Sequence, residues 1–199
     1  MNRILLDTIN RKNTSRPPVW FMRQAGRILP SYRELKKSHH FYSMMKDKEL
    51  ATEVTLLPIN DLKVDAAILF SDILVIPDAM GLELDFTSNG PKFSNALKNT
   101  GNNKIKYDPS KLGYVYDNIK TIKNKNNDIP LIGFCGGPLT TFLFMFRATE
   151  NNKSFKDAIK FFYSNRKESI KILEQITEAS IDYAKNQVLS GIEVFQLFE

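Results

Sequence analysis

Short apolar runs alternate with amphipathic stretches along the whole chain. Four runs have the length and composition of buried strands, namely Val19–Met22, Ala66–Phe70, Leu131–Cys135 and Val194–Phe198. The stretches between them repeat apolar residues at helical spacing, which predicts helices over Asp47–Leu57, from Asp108 to Ile122, from Ser154 to Tyr163 and over Arg166–Leu189. This alternation of strands and helices predicts a parallel sheet in an α/β fold.

The predicted helices begin and end at residues suited to those positions. Asp47 and Asp108 are good N-caps, and Pro109 fits a first helical turn. Ser154 is followed three residues later by an acid, as in a capping box, and Gly191 lies where a helix ends on a glycine. These boundaries support the predicted order of elements.

Two shorter elements fall between the second and third predicted strands. Ile73–Met80 predicts a short helix or turn that Pro77 interrupts. Glu83–Phe86 predicts a short strand that ends before a break at Gly90-Pro91.

Chain length limits the architecture. A closed barrel of eight βα units needs about 250 residues, whereas 199 residues with long connections supply roughly four units. We therefore expect a single domain over residues 1–199 that is either a small open sheet or half of a barrel. In both cases the last strand would leave an unpaired edge.

Composition narrows the class of protein. Apolar residues make up 42% of the chain and charged residues 25%, which is enough apolar surface for a packed core. A single cysteine excludes a disulfide scaffold and a cysteine-built zinc finger. Because there is no apolar run of signal-peptide or membrane length, we expect a soluble cytoplasmic protein.

Positive charge is concentrated at the start of the chain. Residues 1–40 hold nine Lys and Arg against two acids, although the whole chain carries only +6. This excess predicts a polyanionic partner, either nucleic acid or a small molecule with many carboxylates. A solvated basic leader would give the same pattern.

Candidate catalytic and ligand-binding residues lie where the first two predicted strands end. Arg23 and Arg27 are four residues apart, so both guanidinium groups could face one cleft and each bind a carboxylate. The alternative is that they pair with acids such as Glu34 or Glu53. Asp72 follows the second strand, where its carboxylate could stabilise a cationic intermediate or could simply cap the next segment.

The remaining candidate motifs give weaker evidence for a functional site than the arginines and Asp72 do. The segment Gly133–Pro138 lacks the spacing of a phosphate-binding loop and predicts a tight turn from strand to helix. Cys135 is expected to be a buried core thiol, and the aromatic cluster at Phe142–Phe146 to be core or pocket wall. His39-His40 has no partner at metal-ligand spacing, so no metal site is predicted.

Two longer motifs go beyond composition. Pro18–Arg27, followed by Leu29-Pro30, closely resembles the N-terminal signature of the uroporphyrinogen decarboxylases. Asp65–Leu74 resembles the second signature of that family. Further similarity runs along nearly the whole chain, at residues 51–56, 79–81, 90–91, 130–138 and 194–199.

The resemblance implies an α/β fold of the (β/α)₈ TIM-barrel family, of which this chain supplies roughly the N-terminal half. Members are usually homodimers that need no cofactor or metal. They remove carbon dioxide from the four acetate side chains of uroporphyrinogen III, giving coproporphyrinogen III in haem biosynthesis. The basic N-terminal region then has a partner, an octacarboxylate tetrapyrrole rather than a nucleic acid or a membrane.

The resemblance also assigns residues. Asp72 matches the aspartate that accepts hydrogen bonds from the pyrrole N–H groups and stabilises the cation formed on protonation. Arg23 is the candidate proton donor, although an arginine is a poor acid in water. The expected substrate-binding residues are Arg23, Gln24, Ala25, Gly26, Arg27, Asp72 and Phe144.

Some positions depart from the family pattern. Phe144 stands where the family usually has a tyrosine, and Leu139 where it usually has a tryptophan. The family continues after the equivalent of Glu199 with a small hydroxyl residue and, much later, a histidine that contacts substrate. This chain alone is therefore not expected to build the complete site.

Two other interpretations remain open. A corrinoid-linked methyltransferase of the same superfamily would share the fold, although the arginine motif and Ser71-Asp72 argue against it. A truncated, non-catalytic half-barrel that binds a porphyrinogen is the second. The departure at Phe144 favours that interpretation.

Overall fold

The computed structural model describes residues 2–87, 90–97, 105–146 and 154–199. The strands are β1 (Ala67–Ile68), β2 (Leu84–Thr87), β3 (Gly90–Phe93), β4 (Leu131–Gly136) and β5 (Val194–Phe198). The α-helices are α1 (Ile4–Ile9), α2 (Pro30–Ser38), α3 (Phe41–Lys46), α4 (Lys48–Leu62), α5 (Val75–Pro77), α6 (Gly113–Lys125), α7 (Pro138–Met145), α8 (Lys156–Ser164) and α9 (Arg166–Ser190). A π-helical turn at Asp78–Leu82 follows α5, and a 3₁₀ turn at Pro109–Leu112 precedes α6.

The chain folds as two compact units that interleave along the sequence. The first unit comprises Met1–Ser71, Tyr114–Phe134 and Asn186–Gln196. The second comprises Asp72–Gly113, Cys135–Lys185 and Leu197–Glu199.

Three strands form a parallel sheet, most of whose residues belong to the first unit. The strand order is β1-β4-β5, and β1 runs parallel to β4 with Ala67 opposite Leu131 and Ile68 opposite Ile132. All six residues of β4 are buried, as expected for the middle strand of a sheet covered on both faces. The predicted α/β class and the strands at Leu131–Cys135 and Val194–Phe198 are therefore confirmed. The expected burial of the last strand is wrong, because β5 lies at the edge of the sheet, where its residues are half-buried and Leu197 is exposed.

The helices of the first unit begin as the sequence predicts. Asp47 caps α4, because its Oδ1 accepts hydrogen bonds from the N–H groups of Glu49 (2.9 Å) and Leu50 (3.0 Å). The α6 residue Asn118 is 1% exposed and donates to the carbonyl of Met45 at 2.8 Å. Such a buried amide fixes α6 against the end of α3.

Of two strands predicted in the first unit, one does not form and the other is shorter than its apolar run. No strand forms over Val19–Met22, because the N–H of Val19 donates to the Asp65 side chain instead of a neighbouring carbonyl. In Ala66–Phe70 only Ala67 and Ile68 join the sheet, and the N–H of Phe70 donates to Thr55 Oγ1 on α4 at 3.0 Å. Side-chain oxygens thus accept backbone N–H groups that the predicted strands would have paired with a neighbouring strand.

The second unit contains an antiparallel hairpin and a cluster of aromatic rings. In the hairpin, β2 pairs with β3 from Leu84 opposite Phe93 to Thr87 opposite Gly90. The predicted strand at Glu83–Phe86 is confirmed, but the expected break at Gly90-Pro91 is wrong, because both residues begin the returning strand. Gly90 fits there because it adopts a φ of +122°.

The aromatic cluster joins α7 to α8. Phe142 is fully buried, with its ring centroid 5.1 Å from Phe146 and 6.0 Å from Phe162. Phe146 also contacts Phe161 at 4.9 Å. Offset and edge-on rings at these distances are typical of a hydrophobic core, which confirms the predicted role of the cluster.

Candidate active site

A loop with three tight turns follows Val19. We call Phe21–Leu29 the arginine loop. Its turns are closed by backbone hydrogen bonds from Gln24 to Phe21 (3.0 Å), from Gly26 to Gln24 (3.1 Å) and from Leu29 to Gly26 (3.0 Å). Leu29 is 2% exposed and anchors the end of the loop in the core of the first unit.

The two arginines of the loop project into solvent. Arg23 adopts a φ of +62°, a left-handed conformation that is costly for a residue with a Cβ and is often found at functional sites. Arg23 and Arg27 are both exposed, and within the described part of the chain neither forms an ion pair. Glu34 pairs with Lys37 at 2.8 Å instead. Both guanidinium groups are therefore available to an anionic ligand.

The residues between the arginines differ in exposure. Ala25 and Gly26 are half-buried, and a Cβ on Gly26 would lie 3.0 Å from the carbonyl oxygen of Arg23, so a side chain there would crowd the turn. The side chain of Gln24 is only 1% exposed and lies under the loop. The predicted substrate-binding motif is thus one compact loop with its charged ends outward.

Apolar side chains accompany the arginines at the surface. Phe21 is 53% exposed, Met22 65% and Ile28 69%. Three large apolar side chains beside two unpaired arginines give the loop a mixed apolar and cationic surface. Such a surface suits a ligand with a flat apolar body and anionic arms.

Asp65 supports this region and was missed by the sequence analysis. Its carboxylate is 2% exposed and accepts two hydrogen bonds from Arg16 (2.6 and 2.7 Å), one from Asn2 (2.8 Å) and one from the Val19 N–H (2.8 Å). The Arg16 guanidinium, with the other donors, holds the pKa of Asp65 well below the ordinary carboxyl range. The one signal in the sequence was an acid at the very start of a buried strand.

Asp72 lies at the start of the second unit and is half-buried. Its Oδ1 accepts a hydrogen bond from the N–H of Leu74 at 2.9 Å, two residues further along, as in an Asx turn. The local capping contact weighed from the sequence is therefore present. It fixes the direction of the carboxylate, because one of its oxygens is held by the backbone.

Phe144 lies on α7 in the second unit. Its half-buried ring meets Phe155 edge to face, with centroids 5.3 Å apart and the planes at 76°. Leu139, the other departure from the family pattern, is 45% exposed at the start of the same helix.

The Glu199 side chain caps the start of α7, a role that the sequence analysis did not predict. Its Oε1 and Oε2 accept the N–H groups of Leu139 (3.0 Å) and Thr140 (3.1 Å), the first free donors of the helix. The N–H of Gly137 donates to the carbonyl of Phe198 at 2.7 Å. The acid at the end of the last strand was its only sequence signal.

Cys135 is a core residue, as predicted. Its side chain is 2% exposed, and burial, with the charge of Glu199 as a smaller cause, raises the pKa of the thiol to about 11. Over the described ranges, no group of three His, Cys, Asp or Glu is arranged to hold a metal ion. None of the helices in those ranges is long and apolar enough to cross a membrane.

The expected site residues are divided between the two units. The motif from Arg23 to Arg27 belongs to the first unit, where it forms one loop. Asp72 and Phe144 belong to the second unit.

Comparison with known proteins identifies the family. The family model described as uroporphyrinogen decarboxylase (URO-D) matches residues 1–199. The chain belongs to the uroporphyrinogen decarboxylase family. Curated uroporphyrinogen decarboxylases of Flavobacterium johnsoniae and Sulfurimonas denitrificans are 41% and 43% identical to it over all of its length, and that of Aquifex aeolicus is 38% identical.

The relatives are considerably longer than this chain. The alignments span 59%, 60% and 58% of the Flavobacterium, Sulfurimonas and Aquifex proteins. A solved methyltransferase from Methanosarcina mazei matches 98% of the chain and 57% of its own length, with a TM-score of 0.74 and 22% identity. This likeness concerns the fold, and with the family match it confirms a partial chain of the TIM-barrel family.

Proposed function

We propose that this chain forms the N-terminal part of an enzyme that decarboxylates the four acetate side chains of uroporphyrinogen III to give coproporphyrinogen III. The observation that carries the proposal is the arginine loop, which presents Arg23 and Arg27 unpaired beside exposed apolar side chains. The family match over residues 1–199 points to the same chemistry.

The loop suits the proposed substrate in shape and charge. A porphyrinogen has an apolar macrocycle with eight carboxylates around its rim. Arg23 and Arg27 would each bind a carboxylate through paired N–H donors, while Phe21 and Met22 contact the ring. Ala25 and Gly26 would let the ligand approach the backbone.

Asp72 is the proposed electrostatic catalyst. Protonation of a pyrrole carbon creates a cation, which a nearby fixed carboxylate stabilises. The electron pair of the breaking C–C bond then flows into the ring and neutralises that cation as carbon dioxide leaves. Loss of carbon dioxide leaves an exocyclic methylene group on the ring. A second proton adds to that methylene carbon and the first proton leaves the ring carbon, which restores the pyrrole. Each acetate thus becomes a methyl group with a net uptake of one proton.

Arg23 is the proposed proton donor. A guanidinium holds its proton tightly in water, so the transfer requires direct contact between Arg23 and the pyrrole carbon. We further propose a cytoplasmic enzyme that acts without cofactor or metal, and a homodimer for the full-length protein.

Binding without turnover is the second candidate function. It is favoured by one observation, that Phe144, whose ring packs against Phe155, has no hydroxyl group where the family usually has a tyrosine. The two candidates share the arginine loop and differ in whether product forms.

The binding test uses the single tryptophan, Trp20, which precedes the arginine loop. Quenching of its fluorescence would report binding of uroporphyrin, the air-stable oxidised form with the same eight carboxylates. We expect R23Q and R27Q each to weaken binding about tenfold or more, because each removes a charge-assisted contact. The matched control K36Q removes one exposed positive charge outside the loop and should change affinity less than about twofold.

Turnover is measured in parallel on anaerobic uroporphyrinogen III, with products separated by chromatography. If the chain is a decarboxylase, D72N should lose about a hundredfold or more of its rate and keep its affinity for uroporphyrin. Binding without product would favour the second candidate. Equal weakening by K36Q and R23Q, or no binding at all, would contradict both.

A further inference from the structure

The arginine loop contains a buried side chain that holds it in place. The Gln24 side-chain Oε1 accepts a hydrogen bond from the N–H of Phe21 at 2.9 Å, and its Nε2 donates to the carbonyl of Ala66 at 2.9 Å. We infer that Gln24 is a positioning residue, which joins the arginine loop to the sheet and does not itself touch the ligand. The consequence for ligand binding rests on the proposed function, whereas the effect on the loop does not.

Burial separates the Gln24 amide from solvent. The side chain is 1% exposed, and both its acceptor and its donor end are already bonded to backbone groups. A ligand at the surface of the loop would have to displace one of these buried bonds to reach the amide. Such a displacement is costly, because it leaves a polar group without a partner.

The hydrogen bonds between Gln24 and Phe21 close the turn that contains Arg23, whose backbone conformation is unfavourable. Phe21 and Gln24 are joined twice, once by the Gln24 N–H to the Phe21 carbonyl (3.0 Å) and once through the Gln24 side chain. Arg23 lies inside this closed turn with its φ of +62°. A left-handed conformation persists only where its surroundings hold it, and here Gln24 supplies the contacts.

Ala66 connects this turn to a rigid element. Its neighbour Ala67 begins β1 and donates its N–H to the carbonyl of Pro130 at 2.9 Å. The donor end of Gln24 therefore bonds the residue directly before the parallel sheet. A site held by regular structure keeps its side chains in a narrower range of positions than a free loop does.

Gln187 offers a matched control within the same unit. Its side chain is also fully buried, and its Oε1 and Nε2 bond the N–H (3.1 Å) and the carbonyl (3.0 Å) of Phe134. Truncation of either glutamine removes one hydrogen bond to a backbone N–H and one to a backbone carbonyl. Only Gln24 is bonded to the arginine loop.

The first experiment is limited trypsin digestion of the 199-residue chain under native conditions, with peptides followed by mass spectrometry. Trypsin cleaves after Arg23 and Arg27, so cleavage rates there report opening of the loop. We expect Q24A and Q24E to raise both rates by about tenfold or more, since each removes the donor to Ala66. Q187A, compared after its global stability is measured by urea unfolding, should leave these two rates within about threefold of wild type.

The second readout is the affinity for uroporphyrin from Trp20 quenching. We expect Q24A and Q24E to weaken binding about tenfold, and Q187A to leave it unchanged within about twofold. Cleavage rates that rise equally in Q24A and Q187A would overturn a specific role for Gln24. Loop opening without loss of affinity would overturn the role of Gln24 in ligand binding. A wild-type chain that binds no uroporphyrin would refute the proposed function. In that case the digestion experiment would still decide whether Gln24 holds the arginine loop.

Discussion

At the scale of single residues, the Asp65 carboxylate determines how the N-terminal region is attached. Its four hydrogen bonds come from Asn2, Arg16 and Val19, which lie far from it in sequence. A buried carboxylate is stable only when its charge is compensated. Here the half-exposed guanidinium of Arg16 and the N–H donors of Asn2 and Val19 provide that compensation. The arginine loop begins two residues after Val19.

Acid should therefore destabilise the protein through Asp65. Its pKa in the folded state lies below the value of about 3.9 in an unfolded chain. The carboxylate thus contributes its full stability above that value and loses it progressively as the pH falls through the folded-state pKa. Urea unfolding from pH 7 to pH 2.5 should show this loss.

The substitution D65N tests the same contact at neutral pH. We expect it to lower the free energy of unfolding by about 2 kcal/mol at pH 7 and to flatten the acid dependence. The control D117N removes an exposed carboxylate that pairs with Lys120 at 3.5 Å, and should cost less than about 0.5 kcal/mol. Equal losses in D65N and D117N would contradict the prediction.

At the scale of elements, the end of β5 determines how α7 begins. Glu199 accepts the free N–H groups of Leu139 and Thr140, and its negative charge also suits the positive end of the helix dipole. The turn can approach β5 this closely because Gly137 has no side chain. Its φ of −66° is ordinary, so space and not backbone conformation requires glycine there.

The variant G137A should disturb this junction. An added Cβ would overlap the Glu199 carboxylate and lie 2.7 Å from Glu199 Cβ, so the cap would have to move. We expect a loss of about 2 kcal/mol in urea unfolding. The control G113A meets nothing within 4 Å at a helical position and should be neutral or stabilising by up to about 1 kcal/mol, so similar losses in the two variants would rule out the close approach.

At the scale of the whole molecule, positive charge is concentrated at the start of the chain. Residues 1–40 carry seven net positive charges, whereas the remaining residues are nearly neutral overall. In the structure Arg16 forms an ion pair with Asp65, whereas Arg23 and Arg27 are exposed to solvent. The charge that is available to a ligand therefore lies in the arginine loop. The aligned relatives extend well beyond the span of this chain.

Binding of uroporphyrin should therefore depend on salt. Raising the ionic strength from 20 to 300 mM should weaken binding about tenfold, since exposed ion pairs are screened over a shorter distance. The double variant R23Q/R27Q should show a much smaller dependence. A salt effect of the same size in the double variant would place the ionic contacts outside the arginine loop.

The sequence by itself determined the family, the α/β class, the N-caps Asp47 and Asp108, and the strands at Leu131–Cys135 and Val194–Phe198. These features are local, because apolar spacing and capping residues act over a few positions.

Only the tertiary structure placed Gln24 against Ala66, paired Arg16 with Asp65 and brought Glu199 to the start of α7. Those contacts join residues 42 to 60 positions apart, and no local pattern specifies which polar side chain will be buried beside which backbone group. For the same reason the run at Val19–Met22 had the composition of a strand and formed none, since a distant carboxylate took the hydrogen bond that a neighbouring strand would have used.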